Sequence, residues 1–120
     1  MAMKEDLSLL MASVPGALGA ILVDWEGEAV DHVAGMDDYE LKVLGAYSGA
    51  ILMNLRATVD RFDDDDLEEM VVSTATMQMI VRFVTRDYFL VFTARKEEET
   101  LGRALFEVRR CALRLRDDIL

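Results

Sequence analysis

The sequence predicts an α+β fold, an α/β/α sandwich with a five-stranded antiparallel sheet and the element order α-β-β-α-β-β-β-α. Three observations predict it. Five short apolar or half-apolar runs lie between turn residues, as strands do. Three longer stretches repeat their apolar residues at helical spacing. Tight turns at Asp24–Gly27 and Arg86-Asp87 force the strands they join to run antiparallel.

Residues 3–13 form the first helix, with Met3, Leu7, Leu10 and Met11 on one face, and Pro15-Gly16 stops it. Leu18 to Val23 is an apolar run suited to a strand covered on both faces. Asp24-Trp25-Glu26-Gly27 has the chemistry of a type I turn, with Gly27 placed for a left-handed conformation and a bulge. Glu28 to Val33 returns as a more polar strand near an edge. Asp37 and Asp38 are good N-caps for a long second helix reaching Val59. Three strands follow the acidic loop Asp63–Asp66, at Glu68–Thr74, Met77–Thr85 and Tyr88–Ala94. The last is apolar on both faces and belongs in the middle of the sheet. Glu97 to Leu120 is the final helix, laying Leu101, Leu105, Val108, Ala112, Leu115 and Ile119 on the sheet. A second line, Phe106-Leu113-Leu120, is left over, and the first helix is expected to pack beside it.

The second helix carries one unusual feature. Its polar line is narrow (Asp38, Lys42, Gly45, Gly49, Met53, Arg56, Asp60), and Leu41, Leu44, Tyr47, Ile51, Leu52, Leu55 and Val59 fill most of the rest. A helix on one sheet needs an apolar stripe about 100° wide; this one offers roughly twice that. It needs cover on a second side, and a second copy of the chain is the expected cover.

Composition narrows the function classes. The 120 residues fit a single domain over 1–120, able to bury roughly two-thirds of its unfolded surface. Net charge is −10, from 13 basic and 23 acidic side chains. Such a surface repels phosphate backbones and anionic lipid, so neither nucleic acid nor membrane insertion is expected. No apolar run reaches the roughly 18 residues of a membrane span. The opening Met-Ala-Met-Lys-Glu-Asp lacks a secretory signal, and the lone Cys111 fits a reducing cytoplasm.

Val14-Pro15-Gly16-Ala17-Leu18-Gly19-Ala20-Ile21-Leu22-Val23-Asp24, followed by Gly27, resembles the signature of the Roadblock (dynein light-chain) family. Asp87-Tyr88-Phe89-Leu90-Val91-Phe92 resembles that family's last strand, and the element order matches from Lys4 to Leu120. The chain is most similar to prokaryotic stand-alone members, the MglB-like regulators of Ras-like GTPases. The resemblance implies a homodimer in which the third strand pairs with its mate and the second helices lie side by side. That arrangement puts Tyr47, Ala50, Ile51 and Asn54 of the helix and Met70, Val71, Val72 and Ser73 of the strand in the dimer interface. It further implies that the helix pair is a platform for a small Ras-like GTPase. The exposed line Asp38, Lys42, Gly45, Gly49, Met53 and Arg56 is the expected docking surface. The Gly45-x-x-x-Gly49 strip would let another backbone come close, either the GTPase or the second subunit. Arg56 is the one arginine on that platform that could serve as a trans finger; an indirect route, holding the GTPase's own groups in place, is favoured.

Catalytic hardware is thin, and the chain is expected not to be an enzyme and to need no cofactor. His32 is the only histidine, so a two-histidine metal site is impossible. It reads as a surface or packing residue. Cys111 reads as a small buried hydrophobe. Asp63–Asp66 lacks the central Gly of a calcium loop and reads as solvated. No Walker loop occurs, so the chain is not the GTPase itself. Trp25, at a hairpin tip, either anchors a partner or folds back over the hairpin. Arg103, Arg110 and Arg114 share a face and should pair with neighbouring acids. The alternative to a GTPase regulator is a small-molecule sensor of profilin-like topology, or a purely structural adaptor. A sensor needs a polar-lined cavity, whereas Ile21, Leu44, Ile51, Phe89 and Val91 read as inward and bulky.

Overall fold

A computed structural model describes residues 2–97 and 100–120. Helix α1 (Ala2–Ser13) leads into β1 (Ala17–Asp24) and β2 (Ala29–Ala34), and α2 (Asp38–Val59) follows. Strands β3 (Glu69–Ser73), β4 (Met77–Phe83) and β5 (Tyr88–Arg95) then precede α3 (Thr100–Ile119). The strands form one antiparallel sheet ordered β2-β1-β5-β4-β3. The predicted architecture and element order are those observed, with β5 in the centre and β2 at an edge. The expected opening turn of the last helix at Glu98-Glu99 lies outside the described residues, as does Met1.

Alternation along the strands splits the interior into two layers. Ala20, Leu22, Leu90 and Phe92 face α1 and α3, meeting Leu7, Leu10, Val108 and Leu115. Ile21, Val23, Phe89 and Val91 face the other way, against Leu41 and Leu52 of α2. Leu7, Leu10, Leu41 and Leu52 are all fully buried, each stabilising the fold by about 1.5–3 kcal/mol relative to an exposed side chain.

The local chemistry explains the boundaries. The Asp37 carboxylate accepts from the Glu40 amide at 3.0 Å, capping α2. In the β1–β2 turn the Gly27 amide donates to the Asp24 carbonyl at 3.0 Å, and Gly27 takes φ +87°. Between β4 and β5, the Val84 and Thr85 amides both donate to the Tyr88 carbonyl, so the connection is wider than the pair Arg86-Asp87. Glu69 ties edge strand β3 inward. It accepts from Arg82 on β4 and from Arg109 on α3, and the two guanidinium groups hold its carboxyl below the ordinary range despite burial.

The line Phe106-Leu113-Leu120 does not pack beside α1; all three side chains are exposed. α1 lies instead against the flank of α3 where Arg103 donates to the Ser13 carbonyl and Cys111 approaches the Asp6 carbonyl. Arg110 pairs with Glu107 as expected, while Arg103 meets a carbonyl rather than an acid.

Candidate functional site: the outer face of the second helix and the open sheet edge

The side of α2 turned to the sheet carries Leu41, Gly45, Ser48, Gly49 and Leu52, all buried. This corrects the expected placement of Gly45 and Gly49 on an exposed docking strip. A methyl carbon at Gly49 would lie 2.6 Å from Cε2 and 3.1 Å from Cε1 of Phe89, and nearer still to Cζ. One at Gly45 would lie 3.0 Å from Val23 and 3.3 Å from Ile21. The two glycines bring the helix backbone down onto the sheet, with their Cα positions turned to β1 and β5. A glycine counted as polar on a helical wheel points outward; a glycine counted as the absence of a side chain points wherever two surfaces must touch.

Arg56 is displaced from the expected platform for a related reason. It donates to the Arg86 carbonyl at 2.7 Å and lies 4.5 Å over the Phe83 ring. That double hold turns the guanidinium away from the helix crown toward the β4–β5 turn. Asp38 and Lys42 are exposed as expected, and Met53 is half-buried. Asp38 sits 3.5 Å from His32 Nε2 on half-buried strand β2.

The apolar excess of α2 is real and lies elsewhere on the helix. Tyr47 is 71% exposed and Ile51 55%, and Tyr39, Leu55 and Phe62 are also exposed. Ile51 therefore does not fill the core as expected, and Leu44 is only half-buried. Ser48, in the buried row, reaches Met79 of β4 at 3.5 Å. Ala46 lies on the opposite flank, within 3.8 Å of where a side chain at Gly27 would sit. The Tyr47-Ile51-Leu55 flank is thus the one on the β4–β3 side. α2 packs on β1, β2, β4 and β5, and β3 lies outside its main footprint. Beside the flank remains a shelf of half-buried Met70, Val72 and Met79, bordered by exposed Val71 and Ser73 on a strand that ends the sheet.

On the hairpin side, Trp25 is 58% exposed. It borders a recess of about 290 Å³ together with Ala50, Met53 and Asn54, and the Phe89 ring reaches it beneath Gly49. Trp25 thus leans along α2 while keeping most of its surface free. Cys111 is buried, and burial pushes its thiol up to about 12. Among the described residues, no cluster of three His, Cys, Asp or Glu side chains is placed to hold a metal ion. No described helix is long and apolar enough to cross a membrane.

An open five-stranded antiparallel sheet, α2 alone on one face and α1 with α3 on the other, defines a Roadblock-type domain. The Roadblock/LC7 domain model matches residues 3–94, and the chain belongs to that family. Among solved structures, MglB of Myxococcus xanthus superposes with a TM-score of 0.86 at 12% identity, over 99% of this chain and 95% of that one. The gliding protein MglB of Thermus thermophilus gives 0.84 at 19% identity, over 96% and 86%. MglC of Myxococcus xanthus gives 0.69 at 24% identity, over 98% and 99%. The Roadblock resemblance read from the sequence is borne out, and the fold is shared with the MglB structures. No curated protein matches the chain significantly.

Proposed function

We propose that this chain is a homodimeric, cytoplasmic regulator or adaptor of a small Ras-like GTPase, without chemistry of its own. The observation that carries it is the exposed Tyr47-Ile51-Leu55 flank beside a sheet edge. An open strand edge and an uncovered apolar flank on the same side are two halves of one unmet contact. A second copy related by a two-fold axis satisfies both: β3 pairs with β3, and each flank of α2 faces the other copy's α2. Tyr47, Ala50, Ile51, Asn54 and Met70–Ser73 then form the interface. The MglB and MglC likenesses support a role in a GTPase pathway.

With Gly45 and Gly49 turned to the sheet and Arg56 drawn toward the β4–β5 turn, the GTPase-facing surface retains Asp38, Lys42 and Met53. Arg56, held by a carbonyl and a ring, is poorly placed to act as a trans finger, which supports the indirect route. The test is sedimentation of the wild type and of Tyr47→Glu/Ile51→Glu at tens of micromolar, alone and with a Ras-like GTPase loaded with a non-hydrolysable GTP analogue. Wild type should run as a dimer that carries the GTPase with it. The double variant should run as a monomer, or lose solubility, and release the GTPase. A wild-type monomer overturns the dimer; a dimer that ignores the GTPase of its own genome neighbourhood overturns the partner.

A further inference from the structure

At one end of the molecule the C-terminal turns of α2 and α3, the β4–β5 turn and the approach to β3 enclose a cleft of about 390 Å³. Arg56, Arg82, Arg86 and Arg116 all line it, four of the 13 basic side chains of a chain whose net charge is −10. Among the described residues, Asp66 and Glu68 are the only acids on its wall. Two of the arginines are already engaged: Arg56 by the Arg86 carbonyl and the Phe83 ring, Arg82 by Glu69 at 2.9 Å. The other two, Arg86 and Arg116, are exposed, and among the described residues their side chains make no ion pair or hydrogen bond.

Cations near helix C-termini complement the helix dipole. That accounts for Arg56 and Arg116. Arg82, on a strand, is held there by Glu69, which leaves Arg86, in a turn, as the cation with neither a helix end nor a side-chain partner among the described residues to account for its place. Like charges brought into one concavity repel, and an anion seated among them removes the repulsion. One guanidinium fork saturates a carboxylate, whereas a phosphate offers three terminal oxygens to several forks at once. Leu67 and Leu120 add apolar wall beside the cations, suited to the carbon part of an ester.

We propose that this cleft binds a phosphate monoester, with Arg86 and Arg116 as its principal ligands and Arg82 as a fixed neighbour. The site lies away from the outer face of α2, so it stands or falls independently of GTPase docking. A free organic phosphate and a phosphorylated side chain present the same group, and two probes separate them: phenyl phosphate and a short phosphoserine peptide. Amide shifts of Thr85, Arg86 and Leu120 would follow each titration by NMR. At least one probe should saturate with a Kd of about 1 mM or tighter. A peptide bound tenfold tighter than phenyl phosphate assigns the phosphorylated side chain; the reverse, or equal binding, assigns the free ester. Arg86→Gln/Arg116→Gln should weaken the bound probe at least tenfold with the melt unchanged. Arg103→Gln, far along α3, should leave binding as it is. Failure of both probes to saturate by roughly 10 mM, or equal binding by the double variant, overturns the proposal.

Discussion

Gly49→Ala tests most directly how α2 sits on the sheet. In an open helix the change is favourable by about 1 kcal/mol, because alanine is the better helix former. Here the added methyl would stand 2.6 Å from Cε2 of Phe89, well inside van der Waals contact, and Phe89 is 1% exposed at the centre of the sheet. The ring cannot swing aside without disturbing its packed neighbours. Overpacking of this kind costs about 1–3 kcal/mol, and so close an approach belongs at the upper end. Subtracting the helix gain leaves a net loss of about 2 kcal/mol, or a fall in Tm of roughly 8 °C for a domain of this size. Urea and thermal melts followed by circular dichroism read both quantities. Adding Phe89→Leu should recover part of the loss, with a coupling of about 1 kcal/mol in the double-mutant cycle. Gly102→Ala, where nothing lies within 4 Å, is the control and should not destabilise. A Gly49→Ala protein at least as stable as wild type would refute the close approach and return that line of the helix to the surface.

Two further outcomes follow from groups in the α1–α3 layer. Burial first, then the neighbouring Asp118 carboxyl, raises Asp6 from 3.8 to about 6, and one of its oxygens is buried with no hydrogen-bond partner among the described residues. Because the folded value is the higher, the protonated form favours folding. That contribution is whole below 3.8 and fades as pH rises through about 6. Urea midpoints of wild type relative to Asp6→Asn should therefore decline across that window, and parallel curves would contradict it. Cys111, buried and with its thiol pushed up to about 12, should resist a maleimide in the native state and react only on unfolding; rapid native labelling, read by mass spectrometry, would show the α1–α3 seam to be open.

The element order was legible because periodicity and turn chemistry agree along the whole chain: Asp37 caps, Gly27 turns, and Tyr88–Phe92 has no polar side to show to water. The excess apolar width of α2 was legible too, since it needs only a count around the helix. What the count could not do was orient the helix. Gly45 and Gly49 have no side chain for a hydropathy pattern to weigh, and only the side chains beneath them, Val23 and Ile21 under Gly45 and the Phe89 ring under Gly49, reveal which way they face. Tyr47 and Ile51 then take the outer side by default. Arg56 escaped for a different reason: its partners, the Arg86 carbonyl and the Phe83 ring, lie about thirty residues away and leave no local trace. The cationic cleft is invisible for the same reason, being assembled from the ends of separate elements.

The two margins of the sheet are not equivalent. β2 is flanked by both α1 and α2, and Lys4 reaches across to Asp31 at 3.6 Å. Its pairing with β1 is also interrupted between Leu22 and Val23. A margin so covered and kinked is a poor template for another strand. β3 has no such guard along its outer side. Copies that join through β3 leave only guarded margins outside, so the union cannot propagate into a fibre. In the proposed dimer, growth by strand addition ends at two, a limit written into the asymmetry of a single subunit.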